Sequence, residues 1–365
     1  MALILTFLGK GGVGRTTVAI AAAKQLANQG SRVLLIAGDP SPGFGVLLGI
    51  SPGAVPQEIG ANLQVVQLQS TVLLEQGWEE VKKLEEEYLR SPTLKNVYGQ
   101  ELGLIAGMDS ALALKAIREY RDSNDYDVIV YDGAGDLTTI RTFGIPEVTS
   151  WYVRRFRDVV ADSDIGRAIS PFIQPVTSAI LNVSWSADNF ASEPTNKVTG
   201  MIEEGKAAVS DPSQMLAYLV TNDDPAAIAT AEYLWGSAQQ IGLTVGGVLF
   251  NQASNHEEII NRFAPLNITS LPKINPGDWQ GLIDALPNLK QKPSVPKSIT
   301  IDSAAKQVRL FLPGFDKKQV KLTQYGPEIT IEAGDQRRNI LLPSPLSGKP
   351  VTGAKFQDGY LIISF

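Results

Sequence analysis

The chain has 365 residues, no cysteine and a single histidine, His256. Disulfides, thiolate zinc sites and thiol catalysis are therefore excluded, and neither a histidine-cluster metal centre nor a Ser-His pairing of note can be built. His256 follows the polar pair Asn251-Gln252 and is expected to be exposed and without catalytic duty. An excess of positive charge is also missing. The 32 Lys and Arg face 38 Asp and Glu, for a net charge of −6, which argues against nucleic acid or an anionic membrane surface as the main partner. There is no long unbroken apolar run. The most apolar later stretch, Ala168–Trp185, is interrupted by Pro171, Pro175 and Asn182 and makes a poor membrane span. Met1–Leu8 is apolar but has neither a basic start nor a small-residue cleavage site. The expectation is a soluble, cytoplasmic protein that meets membranes only indirectly. A hydrophobic fraction of 44% and a charged fraction of 19% are those of an ordinary globular protein, with length enough for two domains.

What is present is concentrated near the start. The apolar run Leu3–Leu8 leads into Gly9-Lys10-Gly11-Gly12-Val13-Gly14-Arg15-Thr16-Thr17, and a helix of Ala, Ile, Leu and Lys follows. This fits G-x-x-x-x-G-[K/R]-[ST], with Arg15 where a P-loop usually has lysine. Such a loop turns backbone N–H groups inward and adds the positive end of a helix dipole, which makes a phosphate cradle. The additional Lys10 marks the deviant version of the loop.

The rest of the first half alternates strand and helix. The pattern predicts strands at Leu3–Leu8, Arg32–Ile36, Asn62–Leu68 and Asp127–Tyr131, and helices at Thr16–Asn28 and Met108–Asp122, with an exposed charged helix at Trp78–Arg90. Near-continuous Val/Ile/Leu strands imply a doubly wound, mostly parallel sheet covered on both faces. From Thr149 to about Ser213 the pattern loosens into helices that leave the sheet and return. The rhythm resumes with Met215–Thr221, a helix at Pro225–Ile241, and strands at Thr244–Phe250 and Ile268–Leu271. Lys292-Pro293-Ser294-Val295-Pro296 reads as a linker. Beyond it, short runs at Ser298–Asp302, Gln307–Leu312, Val320–Gln324, Glu328–Glu332, Arg338–Leu342 and Tyr360–Phe365 predict a small all-β sandwich. A sandwich of that span is close to the smallest that folds alone, so it is expected to dock on the first domain or on a partner. The domains are drawn at 1–290 and 293–365.

Three loops follow strand C-termini, where open α/β sheets bind ligands. In the first, Thr16 can offer its hydroxyl to Mg²⁺ and Arg15 can neutralise β- and γ-phosphate oxygens. In the second, Asp39 of Asp39-Pro40-Ser41-Pro42-Gly43 can orient or deprotonate water, directly or through the metal shell, or serve as a turn aspartate. The third is Asp132-Gly133-Ala134-Gly135-Asp136. Asp132 at the strand tip is placed as a Walker B carboxylate for Mg²⁺, and Asp136 is the alternative acid. Asn251 after Val248-Leu249-Phe250 has the donor and acceptor that suit an adenine edge, though an asparagine there is also a common turn residue.

Lys10 with its loop, Asp39-Pro40, the stretch Asp132–Arg141 and Asn251-Gln252 stand in an order that resembles the arsenite-pump ATPase family. That family includes the ATPase that guides tail-anchored membrane proteins. Leu312-Pro313-Gly314-Phe315-Asp316, Leu342-Pro343 and Ala354–Leu361 are similar to an α-crystallin domain. The combination resembles the family branch found in cyanobacteria and plastids. The resemblance implies ATP and Mg²⁺ as cofactors, bound by Gly9, Gly11, Gly12, Val13, Gly14, Arg15, Thr16 and Thr17. It implies a homodimer in which Lys10 reaches the partner's nucleotide, Asp39 positions water, Asp132 opens switch II and Asn251 contacts adenine. Residues 149–213 would line an apolar groove for a hydrophobic protein segment. Several features depart from the family pattern: Arg15 replaces lysine, Pro42 and Thr138 stand where histidines are common in switch I and switch II, the Cys-x-x-Cys zinc clasp is missing, and the metalloid-binding cysteines are missing. Alternative readings are a regulatory or cofactor-insertion ATPase of the same fold, and a nucleotide-binding chaperone with little hydrolysis.

Overall fold

The computed structural model describes residues 1–88, 107–161, 193–252, 257–275 and 277–365. Phe172, Ile173, Ile180, Leu181, Trp185 and His256 lie outside the described residues, and with them residues 162–192 of the expected apolar groove.

An eight-stranded sheet is ordered β3-β4-β2-β5-β1-β6-β7-β8. Its strands are β1 Leu3–Leu8, β2 Val33–Ala37, β3 Gln57–Gly60, β4 Leu63–Gln67, β5 Val128–Asp132, β6 Met215–Thr221, β7 Val245–Asn251 and β8 Ile268–Leu271. All neighbours pair in parallel except β3, which runs antiparallel to β4. Successive residues serve opposite faces. Ile4, Leu34 and Ile129 join one core; Leu5, Leu35, Val128 and Val130 join the other.

Helix α1, Arg15–Asn28, covers the second face. Its Ala19, Ala21, Ala22 and Ala23 are fully buried, and such small side chains let helix and sheet approach closely. The other face carries α4 Met108–Asp122, α5 Leu137–Ala161, α6 Glu193–Ser210 and α7 Pro225–Gln240, with short α8 Glu257–Phe263. Helices α2 Gly43–Leu48, α3 Ser70–Tyr88 and α9 Gln280–Ala285 complete the layer structure. The helix expected to begin at Trp78 begins at Ser70, and Trp78 is buried rather than on an exposed face. Charge density along α3 hid an apolar stripe that includes Leu74 and Trp78. Among the described residues no helix is long and apolar enough to cross a membrane.

The tail is two antiparallel sheets around one core. Strands β14 Gly353–Gln357, β15 Tyr360–Ser364, β10 Gln307–Phe311 and β9 Ile299–Asp302 form one; β11 Val320–Tyr325, β12 Glu328–Ala333 and β13 Gln336–Leu341 form the other. Val308, Leu310, Ile329, Ile331, Ile340, Leu361 and Ile363 alternate inward. Strands β3 and β14 were not legible from pattern, because both are short, polar and largely exposed edges.

This sandwich docks on α7 and α5. Phe311 joins the core of the larger sheet and meets Trp235 edge-on with ring centroids 5.5 Å apart. Phe315 meets Tyr233 in the same way, also at 5.5 Å. Gln240 donates to the Ala333 carbonyl at 2.8 Å, and Arg338 donates to the Gln239 carbonyl at 2.9 Å. Burial pushes the Arg338 pKa down to about 10. On α5, Arg141 pairs with Asp335, and Trp151 Nε1 and Arg154 both donate to the Glu328 carboxylate at 3.2 Å.

Candidate nucleotide-binding site

The chain departs from β1 toward β2 on one side and from neighbouring β6 toward β7 on the other, so the first glycine loop stands at a topological switch point. Gly12 and Gly14 have φ of 88° and 89°, which other residues adopt only at a cost. The turn is tight on its inner side. A Cβ at Gly9 would lie 2.1 Å from the Val220 carbonyl oxygen, and one at Gly14 would lie 2.4 Å from Asn251 Nδ2. It is open on its outer side: a Cβ at Gly11 or Gly12 would meet nothing within 4 Å. Gly14 is the N-cap of α1, and no side chain caps that helix end. The first N–H groups of α1 thus keep their capacity to bind an anion, reinforced by the helix dipole.

Beside the loop, Asp132 ends β5 and is nearly buried. Burial pushes its pKa up to about 6; the nearby Thr16 hydroxyl and the charge of Arg15 pull it down, and Asp39 pushes it further up. Thr16, Asp132 and Asp39 are therefore brought to one place. Asp39 is exposed, accepts the Ser41 N–H at 2.8 Å, and sits in a loop held by Gln67 Nε2, which donates to the carbonyls of Asp39 and Ser41 at 2.8 and 2.9 Å. It makes the turn contact of a structural aspartate while lying near Asp132. Asp136 takes a different position. It accepts the Thr138 N–H at 2.7 Å and so caps α5.

Three of the expected site residues have partners within the chain. Arg15 was expected on phosphate oxygens, but its Nη1 donates to the Ala134 carbonyl of the loop after β5. Gly135 is required there, since its φ is 64° and a Cβ would stand 2.7 Å from the Phe7 carbonyl oxygen. Burial lowers the Arg15 pKa, and Asp132 and Asp136 oppose the shift. Lys10 pairs within its own chain, 3.3 Å from Asp224 Oδ2, and both side chains are more than two-fifths exposed. Asn251, expected at an adenine edge, donates its Nδ2–H to the Val13 carbonyl at 2.8 Å in a buried contact. The remaining loop residues stand where the pattern put them: Val13 is buried, Gly11 and Gly12 are exposed, and Thr17 lies in the first turn of α1.

The supporting groups were missed from sequence. Gln67 ends β4 and braces the Asp39 loop. Asp224 caps α7, and its place before Pro225 was a usable N-cap signal. Thr139 accepts the Gly135 N–H at 2.8 Å and ties the Asp132 loop to α5. Gly9 N–H donates to Gly135 O and Gly38 N–H to Asp132 O, each at 2.8 Å, so the three loops are stitched by backbone.

A phosphate cradle, a buried strand-end aspartate beside its threonine, and a second aspartate loop on a parallel sheet are the working parts of a P-loop nucleotide hydrolase. Comparison with known proteins narrows that class. Residues 2–265 match the anion-transporting ATPase family, and residues 304–365 match the HSP20-like domain found in ArsA. The chain belongs to the anion-transporting ATPase family and is an ATP-binding ATPase. It is 26% identical to a protein of Chlorobaculum tepidum named "Putative arsenical pump-driving ATPase", over 99% of this chain and 95% of that one. It is 24% identical to "ATPase GET3" of Malassezia globosa, over 67% of this chain and 70% of that one. With "ATPase ASNA1 homolog 1" of Paramecium tetraurelia it shares 26% identity, over 38% of this chain and 42% of that one.

Proposed function

We propose that this ATPase is a homodimer that binds and hydrolyses Mg-ATP and uses the resulting change of shape to hold or target hydrophobic protein segments. The observation that carries the nucleotide half is the buried Asp132 at the end of β5, beside Arg15 and Thr16, under an α1 end without a side-chain cap. The amides of Gly9–Thr17 would hold the phosphates. Thr16, Asp132 and Asp39 fit Mg²⁺, one hydroxyl and two carboxylates being hard oxygen donors. When bound, the metal supplies charge neutralisation at the β- and γ-phosphates. Asp39 would orient or deprotonate the attacking water, and Lys10 would exchange Asp224 for the partner's nucleotide. The client half rests on the HSP20-like tail and on the resemblance to the targeting ATPase. Arg15 on the Ala134 carbonyl favours slow turnover, so a holding chaperone with little hydrolysis is the second reading.

Calorimetry tests the cradle. Gly14→Val, with a positive φ and a collision at Asn251, should abolish Mg-ATP binding. Asp39→Asn should keep binding and lose about 10²–10⁴-fold in turnover, the contribution of a positioned acid–base group. Unchanged turnover in Asp39→Asn would move that role elsewhere.

A further inference from the structure

At the opposite end of the sheet from the nucleotide loops lies a cleft of about 380 Å³ between α4 and α6, with α5 as its back wall. Its floor is Ile4 and Met215, residues at the starts of β1 and β6, whose far ends carry the glycine loop and its neighbour. Leu114 of α4, Phe143 and Pro146 of α5, and Met201 and Ala208 of α6 make most of its wall apolar. Helices α5 and α6 touch at one side, where a Cβ on Gly205 would stand 3.0 Å from Pro146 Cγ. Helices α4 and α6 are spanned by Arg121 and Glu204, which pair at 2.9 Å. Ser150–Glu203 and Lys206–Glu147 also tie α5 to α6, and the cleft is framed by these contacts and the Arg121–Glu204 bridge.

Its size speaks against a helix. One turn of α-helix with side chains, about 10–12 Å wide and 5.4 Å long, occupies about 400–600 Å³. The volume falls instead in the range of small-molecule sites. The polar groups are asymmetric. Three cations line the cleft from one face of α4 at intervals of three residues: Lys115, Arg118 and Arg121. Lys115 is paired with Glu80 and Glu119, and Arg121 with Asp122 and Glu204. Arg118 has no hydrogen bond or ion pair with any described residue, and it is half-buried. The four acids outweigh the three cations, so the local field does not collect anions. Contact with the Arg118 fork must supply any preference for a carboxylate.

We propose that this cleft binds a single-chain fatty acid, with the chain along the apolar wall and the carboxylate on Arg118. This site lies at the far end of the sheet from the nucleotide loops, and Met201 and Ala208 of its wall belong to the 149–213 segment expected to line a client groove. Its wall includes Phe143 and Pro146 of α5, the helix tied by Thr139 to the Asp132 loop, so the ligand would press on the same helix that leaves the nucleotide site.

The test is calorimetric titration of the full chain, without nucleotide, using sodium dodecanoate below its micelle concentration and 1-dodecanol in parallel. One saturable site per chain is expected for each. Arg118→Ala should weaken dodecanoate about tenfold, the lower end for a lost charge-assisted contact, and leave dodecanol unchanged. Ala208→Trp should remove both by filling the wall; if that variant fails to fold, Arg118→Ala still decides. Non-saturable uptake, no uptake, or equal dodecanoate affinity in Arg118→Ala would overturn the proposal. ATP binding is measured separately, so failure here leaves the nucleotide reading standing.

Discussion

Gly236 gives a prediction whose sign depends on the tail. It lies inside α7, where glycine costs about 1 kcal/mol relative to alanine through backbone entropy. Taken alone, Gly236→Ala should stabilise the helix by that amount. The added Cβ would stand 2.2 Å from the Pro313 carbonyl oxygen and 2.6 and 2.7 Å from two Phe315 ring atoms. The ring could turn, but the Pro313 backbone cannot readily retreat. Gly314, at φ 74°, already presses on α7, where a Cβ would lie 2.4 Å from the Glu232 carbonyl oxygen. Leu312 N–H is meanwhile held by the Gly359 carbonyl at 2.7 Å. Overpacking of this kind costs about 1–3 kcal/mol. Set against the helical gain, the full chain should lose about 0–2 kcal/mol and the tail should loosen, while a chain ending at Lys292 should gain about 1 kcal/mol. Urea melts of the four proteins, with limited proteolysis across 292–296, read both effects. Equal stabilisation of long and short chains by Gly236→Ala would refute the claim that the tail sits on α7.

Asp132 makes stability depend on pH. Its carboxyl titrates near 6 in the fold against 3.8 when unperturbed, so between those values the folded state holds a proton that the unfolded state has lost. Without nucleotide, its contribution should improve as pH falls from 6 to 4 and be least favourable above 6. Asp132→Asn should therefore raise stability at pH 7.5 by about 2–3 kcal/mol and have little effect near pH 4, measured by urea melts at both pH values. Asn251→Ala would strip the Val13 carbonyl of its donor, at a cost of about 1–3 kcal/mol to the loop. ATP and GTP affinities should then fall together by about tenfold, whereas a fall for ATP alone would return Asn251 to the adenine edge. Arg15→Lys should raise ATP turnover, because a lysine lacks the fork that reaches Ala134 while still serving a phosphate; steady-state hydrolysis that falls would show that the guanidinium itself serves the reaction.

The main strands were legible because buried parallel strands are near-continuous Val, Ile and Leu, as in Leu3–Leu8 and Met215–Thr221. The edges were not: β3 and β14 are exposed and polar, and their pairing is set by neighbours distant in sequence. The glycine loop was legible to the residue, since Gly12 and Gly14 need φ values that few residues tolerate. The directions of Arg15 and Asn251 were not, since their partners are backbone carbonyls at Ala134 and Val13 and carry no side-chain signature. The docking of the tail was half legible. Its small size asked for a partner surface, but nothing in the pattern of α7 distinguished Trp235 and Tyr233 as that surface.

Helix α5 connects these separate findings. Its first turn is fastened to the loop after β5 twice, by Asp136 capping Thr138 N–H and by Thr139 accepting Gly135 N–H. Pro146 sits inside the helix and removes one N–H from its ladder, so bending is concentrated there. The tail grips α5 on both sides of that point: Arg141 with Asp335 before it, Trp151 and Arg154 with Glu328 after it. Asp335 and Glu328 stand on opposite ends of the β12 strand region, joined by a rigid ladder to β13. A straight α5 and one bent at Pro146 cannot both match that fixed spacing. The sandwich and the loop of Asp132 therefore constrain the same helix from its two ends, and a shape change in either must be absorbed at Pro146 or break one of the two tail contacts.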